Sequence, residues 1–295
     1  IVSEILSDIL MRKQASDANG VLDSDVRAEY YDGPFSTLTD VQKEHVLRNF
    51  PVEEYFELAS ADYLFVFNYV STGNMIQTAN DLYDYIQFVK KDTGAKKVNV
   101  VAISQGSAVT LAYLAQYGGS DINNLVFASP AWQGTSLAGD TFTGNINLDI
   151  YAFENFLVGM SDGSATTHIV AVILSSFATS EEFTEEYFFF LQDAVNGMKP
   201  QIYDEIIIDM LAGMPGLWCL VPADYYDAAK EFLFPEGVDS NLLAKIDAYN
   251  EIQRNAKAVV EDAEADGMKF GIVCGYNRQI APINDNLNTS DMVVD

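Results

Sequence analysis

Val98-Asn99-Val100-Val101-Ala102-Ile103-Ser104-Gln105-Gly106 is the stretch whose reading decides the fold. Its first six residues are almost all Val, Ala and Ile, the composition of a parallel strand covered on both faces. After Gly106 the small and apolar residues Ala108, Leu111, Ala112, Leu114 and Ala115 spell a helix that stops at Gly118-Gly119. A buried strand that turns within three residues into a helix is the repeating unit of a parallel sheet with crossover helices.

The pattern repeats on either side. Upstream, Met75, Ala79, Leu82, Ile86 and Val89 recur at three and four, an amphipathic helix that Gly94 ends just after Lys90 and Lys91. Residues 61 to 69, a short apolar and aromatic run, read as a further buried strand before that helix. Downstream, Asn123 to Ser129 give another strand, closed by Pro130. Strand, helix, strand, helix, strand predicts an α/β fold around a mostly parallel sheet flanked by helices.

From 137 to 264 the pattern changes to longer helical stretches without a clear strand. Residues 181 to 196 carry Phe183, Tyr187, Phe188, Phe190 and Leu191, and residues 242 to 264 align Leu242, Ile246, Tyr249, Ile252, Ala256, Val259 and Ala263 on one face. Residues 269 to 274 return to strand character. The expected organisation is a core made of 1–136 and 265–295, interrupted by a helical cap at 137–264.

Composition narrows the function. Hydrophobic residues make up 49% and charged residues 20% of the 295, an ordinary globular balance. No apolar stretch reaches the roughly 18 residues a membrane span needs. With 43 Asp plus Glu against 16 Lys plus Arg, the formal charge is −27. Nucleic acid, which needs a basic face to displace its counterions, is excluded as a partner, and anionic membrane surfaces would be repelled. The acidity itself reads as a solubility and habitat feature. Cys219 and Cys274 either pair or remain two buried thiols, and the apolar run around Cys274 favours burial. No His/Cys ligand cluster and no Gly-rich phosphate loop occurs, so neither a metal nor an organic cofactor is implied.

A serine on a tight turn between strand and helix holds its hydroxyl exposed at the carboxyl edge of the sheet, where parallel sheets bind ligands. Ser104 stands there, between the small residues Ala102 and Gly106, in Ala-Ile-Ser-Gln-Gly rather than Gly-x-Ser-x-Gly. The backbone N–H of Gln105, at the helix N-terminus, is placed to receive an oxyanion.

Three further stretches accompany this turn: Leu82-Tyr83-Asp84-Tyr85-Ile86, Thr93 to Val101, and Ser129-Pro130-Ala131-Trp132-Gln133-Gly134-Thr135-Ser136. Together they resemble the lipase branch of the α/β-hydrolases that includes lecithin:cholesterol acyltransferase and related bacterial lipases, whose Thr-Pro-x-x-Gly-Thr segment the last one is similar to. The resemblance implies an α/β-hydrolase fold with a cap. It also implies a serine ester hydrolase or lipid acyltransferase acting through an acyl-enzyme on Ser104, and a small ester or lipid substrate. Met214 to Pro222 resembles a Pro-Ser-x-x-x-Leu-Leu-Pro segment in the cap of such enzymes. Ser290-Asp291-Met292-Val293-Val294 is similar to their Gly-Asp-Gly-Thr-Val motif, which makes Asp291 the implied triad acid; Met292 and Val293 depart from the motif, and Asp285 is the alternative. Lipases of this type meet their substrate outside the cell, so an extracellular or cell-surface location is expected.

The general base does not fit the two histidines present. His168 lies on an apolar stretch of the insertion, His45 on a helix surface upstream of the sheet, and in this family the base follows the acid. The catalytic His is therefore expected beyond Asp295. The His-Gly or Pro-Gly segment that supplies the second oxyanion donor in such enzymes is not found before residue 61, so the chain is read as an internal portion of a longer enzyme. The rival reading is a catalytically inactive α/β-hydrolase fold serving as a ligand-binding or interaction module. An acyl pocket would be built in the cap, with Trp132, Phe183, Tyr187, Phe188, Phe189, Phe190 and Trp218 as candidate lining. The run Tyr187 to Leu191, apolar all round, is either a lid surface or a buried helix.

Overall fold

The computed structural model describes residues 17, 20, 21, 26–50, 52–159, 169, 172, 173, 176, 180, 188–276, 281, 283 and 284. Three strands form one sheet: β1 (Val98–Ile103), β2 (Ile122–Ala128) and β3 (Lys269–Val273), in the order β1-β2-β3 and parallel throughout. Around them lie α1 (Asp40–Asn49), α2 (Glu53–Leu58), α3 (Met75–Thr93), α4 (Gly106–Tyr117), α5 (Ser136–Phe142) and α6 (Ile150–Gly159). Further on come α7 (Phe189–Ile202), which runs into a π-helical stretch Tyr203–Leu211, then α8 (Pro215–Trp218), α9 (Tyr226–Leu233), α10 (Ser240–Arg254) and α11 (Ala256–Ala265).

Local chemistry sets the helix ends. The Asn74 side chain accepts from the Ile76 N–H at 3.0 Å to start α3, and Gly94 closes it with φ +71°, a conformation open to glycine at little cost. Thr39 and Gln42 form a reciprocal capping box at the start of α1, and the Thr135 hydroxyl accepts from Ala138 N–H at 3.2 Å to start α5.

Strands laid down in sequential order through right-handed crossovers return their helices to one side of a sheet. The alternation of burial along β1 agrees: Ala102 is buried in the main core, whereas Asn99, Val101 and Ile103 are exposed. That core joins Met75, Ala79, Leu82 and Ile86 of α3, Ala108 to Leu114 of α4, and Ile122, Leu125 and Phe127 of β2. Each large apolar side chain fully buried there contributes about 1.5–3 kcal/mol. Tyr249, Ala256, Val260 and Ala263 pack in this same core, so the sheet's hydrophobic layer runs across residue 264, where the sequence placed the end of the insertion. A second core gathers Phe142, Tyr203, Ile207, Trp218, Tyr226 and Leu233.

Four expectations need correction. β1 is not covered on both faces: among the described residues its outer edge has no ladder partner, and Val101 is 66% and Ile103 42% exposed. The run 61–69 is not a strand. Ala61–Tyr63 is a 3-10 turn, and among the described residues the stretch after it joins no ladder; it is tied instead by Phe35 N–H, which donates to Leu64 O at 2.7 Å, and by the Tyr85 hydroxyl, which donates to Val66 O at 3.0 Å. Cys274 is exposed rather than buried, and both cysteines are free. The periodic stretch 242–264 is two helices that meet at Asn255, not one.

Candidate active site at the end of β1

The turn after β1 is held by β2 with the loop that follows it and by the first turn of α4. Ser104 N–H donates to Ala128 O at 3.0 Å, Ser104 O accepts from Ser107 N–H at 3.0 Å and from Ala131 N–H at 3.2 Å, and the Ser107 hydroxyl donates to the same carbonyl at 2.6 Å. These bonds hold Ser104 at φ +50°, in the left-handed region that an L residue with a Cβ seldom occupies. The neighbouring loop does the same: Ser129, at the end of β2, sits at φ +43° with its N–H donated to Val273 O at 2.8 Å. Two strained serines thus stand side by side at the carboxyl edge of a parallel sheet.

Ser104 is half-buried, and Gln105 N–H carries no hydrogen bond among the described residues. That donor, on the first turn of α4, points a partial positive charge where a helix N-terminus favours anions. The small size of Gly106 is not demanded by packing, because a Cβ there would meet only the Tyr69 hydroxyl at 4.0 Å. Tyr69 itself is held protonated well above its ordinary range, by burial first and by the neighbouring Cys219 second.

The two remaining segments singled out in the sequence meet over this edge. Thr135 N–H donates to Leu220 O at 2.8 Å, and a Cβ on Gly134, which has φ +85°, would lie 2.5 Å from Pro222 N. The loop Ser129–Ser136 and the segment Met214–Pro222 are therefore in backbone contact. On its other flank that segment touches the loop Ser71–Gly73: Gly216 N–H donates to Thr72 O at 3.0 Å, and a Cβ on Gly216 would fall 2.1 Å from Ser71 O. Only glycine permits that approach.

The other candidates are dispersed. Trp132 packs edge-on to Phe127 and tilted on Phe270, with ring centroids 5.4 and 6.0 Å apart, and its carbonyl accepts from the Tyr249 hydroxyl at 3.2 Å. Trp218 belongs to the second core: it is 2% exposed, its Nε1 donates to Ala212 O at 2.8 Å, and Phe142 and Tyr226 pack edge-on against it. Phe188 is buried near Phe153, whereas Phe189 and Phe190 are exposed. His45 is exposed on α1, and among the described residues no histidine hydrogen-bonds Ser104. Phe183, Tyr187, His168, Asp285 and Asp291 lie outside the described residues.

One buried carboxylate escaped the sequence reading. Asp140 is almost fully buried at the end of α5, where Oδ1 accepts from Asn145 Nδ2 at 3.1 Å and Oδ2 from Asn284 Nδ2 at 2.6 Å. Asn284 also pairs through its backbone and amide with Asn147 and Asn145, and Ile283 bridges to Leu148. The segment leading toward Asp285 is thereby fastened to the end of α5. An open cavity of about 610 Å³ lies elsewhere, between α9 and α10, and no residue of the Ser104 turn lines it. Its two cations are already paired, Lys230 with Asp227 and Asp247, and Arg254 with Asp227. No helix among the described residues is long and apolar enough to cross a membrane.

A family model described as alpha/beta hydrolase fold matches residues 34–166, a span that includes β1, Ser104, α4 and β2. No solved structure matches the chain. The match and the topology agree on an α/β-hydrolase fold for this span.

Proposed function

We propose that the protein is a serine hydrolase of carboxylic esters, of the lipase or lipid acyltransferase-like branch, with Ser104 as nucleophile. The observation that carries this reading is the positive φ of Ser104 at a strand-to-helix turn beside an uncommitted helix N-terminal N–H. Such strain is retained where a side chain must be presented at an angle that an ordinary loop does not give. Ser104 Oγ attacks the ester carbonyl as an imidazole base takes its proton, Gln105 N–H receives the developing oxyanion, the ester C–O bond breaks and the alcohol leaves with that proton, and water or a lipid alcohol then resolves the acyl-enzyme. Asp291 is the proposed acid and orients that imidazole.

An apolar acyl chain is favoured over a peptide by the exposed aromatic pair Phe189 and Phe190, at 51% and 71%, on the first turn of α7. We take the cap to run from Leu137 to Val238, because α10 and α11 share the core of the sheet. The test is hydrolysis of p-nitrophenyl esters of graded chain length by the full-length protein. Ser104→Ala is expected to lower kcat by about 10³-fold or more, with the longer acyl chains the better substrates. Equal turnover by the variant would sink the assignment. The second reading, an inactive fold that binds its ligand, is favoured by the lack of an imidazole bonded to Ser104 among the described residues. It predicts ligand binding without turnover, unchanged in Ser104→Ala.

A further inference from the structure

Gln105 occupies the N-cap position of α4, yet its side chain forms no cap. Its Nε2 donates to two carbonyls from different segments, Ser71 O at 2.9 Å and Gly216 O at 2.9 Å, and lies 3.6 Å from Cys219 Sγ. A primary amide nitrogen has two hydrogens, so the two carbonyls use both of them. Around this point the chain closes tightly. Gly216 is pressed on Ser71–Gly73, the Cys219 thiol donates to Gly216 O at 3.0 Å, and Cys219 O accepts from Gln253 Nε2 at 3.1 Å. Cys219 is 0% exposed.

Nothing about the strand-to-helix turn requires these bonds. Ser, Thr, Asp or Asn would cap α4 better, and a Gln that reaches sideways leaves the first turn of the helix uncapped. The bonds instead fix three things relative to one another: the turn that carries Ser104, the loop after Val70, and the segment Met214–Cys219. An oxyanion donor stabilises a transition state in proportion to how little it must reorganise as charge develops. The Gln105 peptide plane is pinned at one end by the bonds to Ser104 O and at the other by its own side chain.

We propose that the Gln105 side chain is a positioning clamp, which locks the Ser71–Gly73 loop and the Met214–Cys219 segment onto the nucleophile turn and so holds the direction of the Gln105 N–H. This rests on the reading of Ser104 as nucleophile, and Gln105 acts through its backbone donor rather than through the amide. The segment Met214–Cys219 is on this account a fixed wall of the site and not a part of a moving lid.

The test uses the full-length protein and two variants. Gln105→Met keeps length and apolar volume but removes both donors. Gln105→Glu keeps the shape, sets a carboxylate against two carbonyl oxygens, and regains one donor when protonated. For Gln105→Met the expected result is a fall in kcat of about 10- to 100-fold with KM within about twofold, less than outright loss of an oxyanion donor. Alkylation of Cys219 by iodoacetamide, followed by mass spectrometry with the exposed Cys274 as internal reference, is expected to accelerate by about tenfold or more as local opening becomes easier. For Gln105→Glu, kcat relative to wild type at the same pH is expected to rise as the pH falls, a recovery that a loss of packing would not show; this variant also serves if Gln105→Met does not fold. A kcat within twofold of wild type, a loss confined to KM, or a Cys219 as protected as in wild type overturns the clamp. A folded wild type that hydrolyses no ester overturns the reading of Ser104 and the clamp's role in catalysis with it, while Cys219 alkylation still separates that failure from a failure of the contact.

Discussion

Ser104 adopts a backbone conformation that costs an L residue about 1–2 kcal/mol, and four hydrogen bonds in and around the turn hold it there. The cost belongs to the Cβ and not to the hydroxyl, so two substitutions separate strain from chemistry. Ser104→Ala keeps the strain, and Ser104→Gly releases it. In urea titrations Ser104→Gly is expected to be the more stable of the two by about 1 kcal/mol, although both lack the nucleophile. If the two melt alike, the turn is not strained in solution. At this scale the sequence was informative about Ser104 and Gln105 as backbone positions, because a run of Val, Ala and Ile ending in Ser-x-Gly constrains the chain strongly. It was silent on the Gln105 side chain, whose partners Ser71 and Gly216 are 34 and 111 residues away. It misread Cys274, since an apolar run predicts burial only where a neighbouring layer exists to bury it.

Between elements, the junction of α3 with β2 depends on one ion pair. Asp121, just before β2, accepts from Lys90 in the last turn of α3 and from Gln87 Nε2 at 2.6 Å. Burial pushes the Asp121 carboxyl up, but the hydrogen bonds from Lys90 and Gln87 outweigh it and hold the group below its ordinary value of 3.8. A depressed carboxyl stabilises the fold above its unfolded value and loses that contribution as the pH falls through the folded one. Asp121→Asn is thus expected to cost about 1–3 kcal/mol at neutral pH, and its deficit relative to wild type should shrink as chemical denaturation is followed into acid. A deficit independent of pH would mean that the pair contributes nothing through charge. The contact between α8 and the loop after Val70 is tested by Gly216→Ala, whose added Cβ has 2.1 Å of room; a loss of about 1–3 kcal/mol is expected in thermal melts, with Cys219 opened to thiol reagents. The helices and strands around Ser104 were legible because period and caps agree, as in Asn74 and Gly94. The run 61–69 was not, because an apolar extended segment becomes a strand only if another strand offers it a ladder, which is a tertiary fact.

Over the whole molecule the sheet is asymmetric. One face is sealed by α3, α4 and α11, and the other leaves Val101 and Val273 at 66% and 65% exposure. In the 295-residue chain Val101→Thr is expected to change stability by under about 0.5 kcal/mol, whereas Leu125→Ala on the sealed face is expected to cost about 2–5 kcal/mol. Equal costs in denaturant titrations would contradict this division of the faces. The α/β architecture and the parallel sense of the sheet followed from alternation of strand and helix; the one-sided covering did not, because composition says that a strand is apolar and not what lies against it. The central claim is that the strained serine at the end of β1 is a nucleophile. A fluorophosphonate probe on the folded full-length protein, with the modified peptide located by mass spectrometry, tests it most directly. The account predicts a stoichiometric phosphonyl adduct on Ser104 that heat denaturation and Ser104→Ala both abolish. A folded protein in which Ser104 stays unmodified would contradict it.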